Sequence, residues 1–183
     1  KVLAEAAQVA EIAAADKGPL VGPLRVGVIF TIAPWLLPRL VPLVKARAPD
    51  MPLILEENYT HRLIEKLKNN ELDLAILALP VEEPWLVAPA VYAEQFRVLA
   101  PSSHPWAKQK TVAASALPDA QLLMLGAGNC FRDQVMDLCA TASSQSGVSP
   151  HVIEGSSLET IRHMVASGVG VTVMPASAVD DLS

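Results

Sequence analysis

Short runs of β-branched and apolar residues alternate along this chain with longer amphipathic stretches, a pattern typical of proteins in which strands and helices take turns. In the first half, strands are predicted over Leu24–Phe30, Pro52–Glu57 and Asp73–Leu79. Helices are predicted between them over Pro34–Ala48 and Tyr59–Asn69. This order predicts right-handed βαβ units and a parallel sheet.

The second half continues the same alternation. A helix is predicted over Cys130–Thr141, and another begins at Ser156. The predicted strands are residues 86–92, 95–100, 121–125, 152–153 and 169–174. The fold class that follows for the whole chain is α/β.

Particular residues are expected to interrupt or end these helices. Pro38 and Pro42 lack the amide hydrogen that a helix interior needs, so they should kink the helix predicted over Pro34–Ala48 or confine it to shorter segments. Ser156 is followed three residues later by Glu159, which predicts a capping box. Gly168 is expected to end that last helix.

The first 16 residues form an alanine-rich stretch with helical spacing of its apolar positions. Gly18-Pro19 and Gly22-Pro23 then break the pattern. Two interpretations remain open for this helix. It is either the end of a longer linker or dimerisation helix, or a helix that packs on its own domain.

Composition narrows the class of protein. Hydrophobic residues make up 51% of the chain and charged residues 18%, which excludes intrinsic disorder. The net charge of −5 disfavours a strongly basic nucleic-acid-binding domain. The longest apolar run, Val26–Pro38, is too short to span a bilayer, and the chain opens without a leader-like segment. We therefore expect a cytoplasmic chain that does not meet a membrane.

The candidate chemistry centres on Cys130. The predicted strand before it runs into a loop that contains Gly126 and Gly128, and Asn129 is a favourable helix N-cap. Cys130 would then be the first helical residue, where unpaired backbone N–H groups and the helix dipole stabilise a thiolate. Arg132 would add a positive charge nearby. The residues alone leave both a reactive thiol and a structural cysteine open.

Cys139 follows Cys130 by nine residues. In a continuous helix the two would lie roughly 13.5 Å apart along the axis and about half a turn apart around it, too far for a disulfide. A disulfide between them would therefore require the segment to unwind, which suits a two-state switch better than a permanent staple. No histidine lies at ligand spacing from the cysteines and no nucleotide-binding loop is complete, so neither a metal site nor a cofactor is predicted.

Five strings stand out beside the segment from Cys130 to Cys139, and they are Gly22-Pro-Leu-Arg-Val-Gly27, Pro34-Trp-Leu-Leu-Pro38, Leu72-Asp-Leu-Ala-Ile76, Ser157-Leu-Glu-Thr-Ile-Arg-His-Met-Val165 and Gly168-Val-Gly-Val-Thr-Val-Met-Pro175. Together they resemble the regulatory domain of LysR-type transcriptional regulators, and the segment from Cys130 to Cys139 resembles the redox segment of the peroxide-sensing members of that family. This resemblance implies two Rossmann-like lobes, similar to type II periplasmic binding proteins. It assigns residues 1–21 to the end of a linker helix and the linker, 22–92 to the N-terminal part of lobe I, and 93–183 to lobe II.

The resemblance also implies a chemistry. Hydrogen peroxide would oxidise Cys130, and Cys139 would then form a disulfide with it. Asn129 stands where the family commonly has a histidine. Besides the two cysteines, the resemblance implies five residues at the site, and they are Thr31, Thr60, Asn129, Arg132 and Asp133.

The implied partners are hydrogen peroxide, further copies of the chain in a dimer or tetramer, and promoter DNA. The DNA would bind only through a winged helix-turn-helix domain that this chain does not contain. The chain would be a sensor of peroxide and not an enzyme. One alternative is an effector domain that binds a small metabolite between its lobes, and another is a thiol peroxidase.

Overall fold

The computed structural model describes residues 22–142 and 152–179, and the helix predicted over residues 1–16 lies outside them. The chain forms two compact units that divide between Leu77 and Ala78. The predicted lobe boundary at residues 92–93 lies further along the chain. The stretch between the two positions contains neither a helix nor a strand, and its residues belong to the second unit.

The first unit contains a three-stranded parallel sheet in the order β2-β1-β3, which confirms the parallel sheet predicted for this half. Its core contains Val26 and Val28 of β1, together with Ala33 at the start of α1. The elements are β1 (Leu24–Ile29), α1 (Ala33–Arg47), β2 (Leu53–Asn58), α2 (Thr60–Lys68) and β3 (Leu74–Ile76).

Helix α1 is one continuous helix despite its two internal prolines, so the expected alternative of shorter segments is wrong, and the expected kink stays a prediction. Pro34, Pro38 and Pro42 are spaced by four residues and are all exposed. A proline removes one hydrogen bond to the preceding turn. On this exposed face, water can satisfy the carbonyl groups that the prolines leave without an amide partner.

The second unit contains a four-stranded mixed sheet in the order β4-β7-β5-β6. Strand β5 pairs in parallel with β6 and β7, while β4 runs antiparallel to β7. All residues of β5 and β7 are buried. The elements are β4 (Phe96–Leu99), β5 (Leu122–Leu125), α3 (Cys130–Ala142), β6 (Val152–Gly155), α4 (Leu158–Ala166) and β7 (Val171–Pro175).

The strand predicted over residues 86–92 is absent, so that prediction is wrong. The segment carries β-forming apolar residues, yet Val87 is 89% exposed and Val91 is 85% exposed. A strand needs a neighbour to satisfy its backbone groups. No described strand pairs with this segment.

The sequence prediction for α4 is wrong at the N-terminal end of the helix and correct at the C-terminal end. Ser157, and not Ser156, is the N-cap, and its side chain makes no capping hydrogen bond. The predicted capping box is therefore wrong, and the Glu159 carboxylate accepts instead from Arg162. The C-terminal prediction is confirmed, because Gly168 has a φ of 83°. The amide of Gly168 donates to Val165 and that of Val169 to Met164, as in a Schellman motif.

Gly170 provides a stability prediction for the second unit. A Cβ at this position would lie 2.4 Å from the backbone oxygen of Gln121, the same oxygen that accepts from the Val171 amide at 2.9 Å. Gly170→Ala is expected to lower the free energy of unfolding by roughly 2–4 kcal/mol, because the backbone must move and that hydrogen bond weakens. Urea denaturation measures the loss.

Gly168→Ala is the matched control, two residues away in the same turn. A Cβ there meets nothing within 4 Å, and the change costs only the strain of a positive φ, about 1 kcal/mol. Equal losses for the two variants would contradict the close approach of Gly170 to Gln121.

Candidate functional site

Cys130 lies where a buried strand of the second unit's sheet feeds a helix. Strand β5 ends at Leu125, with β6 and β7 on either side of it. After a loop of four residues, α3 begins at Cys130, as the sequence predicts. The carboxyl ends of parallel strands are the usual location of functional groups in α/β proteins.

Hydrogen bonds hold this loop against the ends of two strands. The Asn129 side chain is buried, and its amide donates to the Gly126 carbonyl at 2.9 Å. The Gly126 amide in turn donates to Gly155 at the end of β6, also at 2.9 Å. The Asn129 carbonyl accepts from the Asp133 amide at 3.4 Å. Asn129 is therefore the N-cap residue, and Cys130 occupies the first helical position.

Neither cysteine of α3 is in a disulfide, and their surroundings differ. Cys130 is partly buried, whereas Cys139 is buried on the face of α3 that also carries Phe131 and Val135. Burial raises the pKa of the Cys139 thiol, because a low-dielectric environment disfavours the thiolate. Cys130 is therefore the more accessible of the two thiols.

The helix keeps the two sulfur atoms apart. Helix α3 is continuous from Cys130 to Ala142, so nine residues of helix separate the cysteines by roughly 13.5 Å along the axis and about half a turn around it. This confirms the arrangement expected from the spacing. The two thiols cannot join while this helix is intact.

Arg132 forms two polar contacts near the start of α3. Its guanidinium donates to the Leu125 carbonyl at 3.1 Å and forms an ion pair with the Glu154 carboxylate. Residues two apart on a helix do not face each other, so Arg132 points away from Cys130 and towards β5 and β6. The nearby positive charge expected from the sequence is therefore paired with Glu154.

Asp133 and Glu154 are two further charged residues near the start of α3. Asp133 is exposed in the first turn of α3, where a negative charge stabilises a helix. It lies three residues after Cys130 and so on a neighbouring part of the helix surface. Glu154 was not predicted. It lies on β6 beside Met124 of β5, and only that register brings its carboxylate to Arg132.

Thr31 and Thr60 belong to the first unit. The register pairs Ile29 with Asn58 at the ends of β1 and β2, and each threonine lies two residues beyond its strand. Thr31 is buried. The Thr60 hydroxyl is also buried, and it meets no hydrogen-bond partner among the described residues. Its hydrogen-bonding capacity is therefore not used within the described residues.

The described residues hold neither a candidate metal centre nor a membrane-spanning helix. Within residues 22–142 and 152–179, no three histidine, cysteine or acidic side chains are grouped closely enough to hold a metal ion. In the same part of the chain, no helix has the length and apolar character needed to cross a membrane.

Comparison with known proteins assigns this chain to one family. The family model described as the LysR substrate binding domain matches residues 17–183. The hydrogen peroxide-inducible genes activator of Haemophilus influenzae is 37% identical over 178 residues, which cover 97% of this chain and 58% of that protein. The chain thus spans less than two thirds of this relative.

Solved structures give the same family. A full-length OxyR variant from Pseudomonas aeruginosa matches with a TM-score of 0.85 and 46% identity, covering 98% of this chain and 61% of that one. The reduced OxyR regulatory domain from the same species matches with a TM-score of 0.78 and 49% identity, covering 88% of this chain and 74% of that one.

Proposed function

This chain belongs to the LysR substrate-binding domain family, and we propose that it is the redox-sensing regulatory domain of a transcription factor that responds to hydrogen peroxide. The observation that carries the proposal is the pair of thiols in α3. One thiol is partly accessible at the helix start, and the other is buried on the opposite face. Joining them requires the helix to change, so a chemical signal becomes a structural one.

The proposed reaction uses one peroxide molecule for each signal. The Cys130 thiolate attacks a peroxide oxygen, the O–O bond breaks, and the departing hydroxide takes up a proton to become water. Cys130 becomes a sulfenic acid. The Cys139 sulfur then attacks the Cys130 sulfur, and a second water leaves as the disulfide forms. Two thiols lose two electrons and the peroxide gains them, and no further turnover occurs until a reductant restores the thiols.

The threonines of the first unit have a part in this proposal. Hydrogen peroxide both donates and accepts hydrogen bonds, as a hydroxyl group does. A buried hydroxyl without a partner is unfavourable, and the Thr60 hydroxyl would gain one by binding peroxide. We assign Thr60 to peroxide binding on this ground, and Thr31 because it lies at the equivalent place beyond the neighbouring strand β1. We assign Asn129, Arg132 and Asp133 to support of the Cys130 segment.

The output of the sensor is proposed to be a change in assembly. Unwinding the first turns of α3 alters the surface of the second unit, and this would change packing in a homo-oligomer, either a dimer or a tetramer. Promoter DNA would be bound by a winged helix-turn-helix domain of the same protein. The net negative charge of this chain agrees with a regulatory role and not with direct DNA binding.

The proposal is tested by thiol trapping and intact mass after brief exposure to dilute peroxide. We expect a rapid loss of two hydrogens, with both thiols protected from alkylation under denaturing conditions. A dithiol reductant such as dithiothreitol should restore both thiols. If both thiols remain open to alkylation, the proposal is wrong, and calorimetry with small carboxylates would then test the alternative of a metabolite-binding effector domain.

A further inference from the structure

Arg132 connects the redox segment to two strands of the sheet. Its guanidinium contacts the Leu125 carbonyl at the end of β5 and the Glu154 carboxylate on β6. The arginine side chain is only 15% exposed, whereas that of Glu154 is 50% exposed. A partly buried charged hydrogen bond is stronger than one in open solvent. This link therefore favours the conformation in which it can form.

These contacts belong to the helical, dithiol form of the segment. Arg132 lies two residues after Cys130 and inside the stretch that a Cys130–Cys139 disulfide would close. That disulfide requires Cα atoms within roughly 7 Å of each other, about half the separation that the intact helix imposes. Turns of α3 between the two cysteines must unwind to meet this requirement. Arg132 lies next to Cys130 within that stretch, so we expect its contacts with the two strands to weaken when the disulfide forms.

We propose that Arg132 and Glu154 are positioning residues that hold the start of α3 in its helical form and so set how oxidising the surroundings must be before the disulfide forms. The inference rests on the proposed function. The two residues act by stabilising the dithiol form relative to the disulfide form. Removing the link should make the disulfide easier to form and harder to reduce.

Equilibration with glutathione tests this directly. In that reaction, the two thiols of the protein become a disulfide while one oxidised glutathione becomes two reduced glutathione molecules, so electrons and protons balance. The measured quantity is the ratio of squared reduced glutathione to oxidised glutathione at which half of the protein is disulfide-bonded. A higher ratio means a more stable disulfide.

Two variants weaken the link to different extents. Glu154→Gln removes the charge of the partner at a half-exposed position, and we expect the midpoint ratio to rise about threefold. Arg132→Met removes the ion pair and the hydrogen bond to Leu125 together, and we expect a rise of roughly tenfold. If Arg132→Met does not fold, Glu154→Gln alone decides the question, because its side chain lies at the surface.

Glu159→Gln is the matched control. The Arg162–Glu159 ion pair of α4 has similar exposure, 21% and 43%, and it lies in the same unit but outside the segment between the cysteines. Its loss should leave the midpoint unchanged. An equal shift in Glu159→Gln and Glu154→Gln would show a general loss of stability and overturn the inference.

The outcomes separate this inference from the proposed function. If the wild-type chain forms no disulfide at any glutathione ratio, the proposed function fails. If the wild-type chain forms the disulfide but both Glu154→Gln and Arg132→Met share its midpoint, the proposed function stands and the positioning role of Arg132 and Glu154 is wrong.

Discussion

Replacing Cys130 with serine is expected to abolish peroxide-driven disulfide formation completely, while α3 remains in place. A serine hydroxyl is not oxidised by peroxide, and serine is well tolerated at the start of a helix. The remaining thiol, Cys139, is buried on the inner face of α3, and burial raises its pKa. Because the thiolate is the nucleophile, Cys139 should react slowly with peroxide by itself.

Intact mass and alkylation provide the measurement. After brief peroxide treatment and denaturation, Cys130→Ser should keep its mass and still take up one alkyl group at Cys139. Wild-type chain treated in parallel should lose two hydrogens and take up none. Circular dichroism of the untreated variant should match the wild type, which excludes misfolding as the reason for the lost response. Peroxide modification of Cys139 in the variant at the wild-type rate would instead identify Cys139 as the primary sensor.

The local part of this site was predictable because each step depends on neighbouring residues. A strand of apolar residues, a glycine-containing loop, and an asparagine before the helix are signals that act over a few positions. The structure confirms that Cys130 begins α3. The separation of the two cysteines follows from helix geometry alone, so the need for unwinding could be derived before any coordinates.

The predictions that were wrong concern features that depend on distant parts of the chain. Residues 86–92 have the composition of a strand but no strand beside them among the described residues. The prolines of α1 are tolerated because Pro38 and Pro42 share one exposed face, which requires knowledge of how α1 packs. Strand formation and the tolerance of prolines are therefore decided by neighbours in space. A prediction from local sequence patterns has no information on those neighbours.

Glu154 shows the same limit at the candidate site. Its sequence neighbourhood gives no sign of a contact with Arg132, which precedes it by 22 positions. The contact exists because β5 and β6 pair in parallel with Met124 beside Glu154. The carboxylate that we propose to act with Arg132 on the switch is thus placed by strand register, and periodicity does not predict register between strands joined by a helix.

Replacing Cys139 with serine should separate the oxidation of Cys130 from the structural switch. The sulfenic acid at Cys130 would have no thiol within the helix to resolve it, so it should accumulate or proceed to higher oxidation states. We expect nearly all of the chain to gain one oxygen or more at Cys130, with dimedone trapping the first product. Peptide mass spectrometry after peroxide treatment locates the modification.

The same variant tests whether the disulfide, and not the oxygen atom, unwinds the helix. Helix α3 has no geometric reason to open when only Cys130 is modified, because no second sulfur pulls on it. Amide hydrogen exchange across Cys130–Ala142 should therefore rise on peroxide treatment of the wild type and stay near the untreated level in Cys139→Ser. Equal exchange in the two proteins would mean that oxidation of Cys130 alone opens the helix, and Cys139 would then serve to trap an already unwound segment.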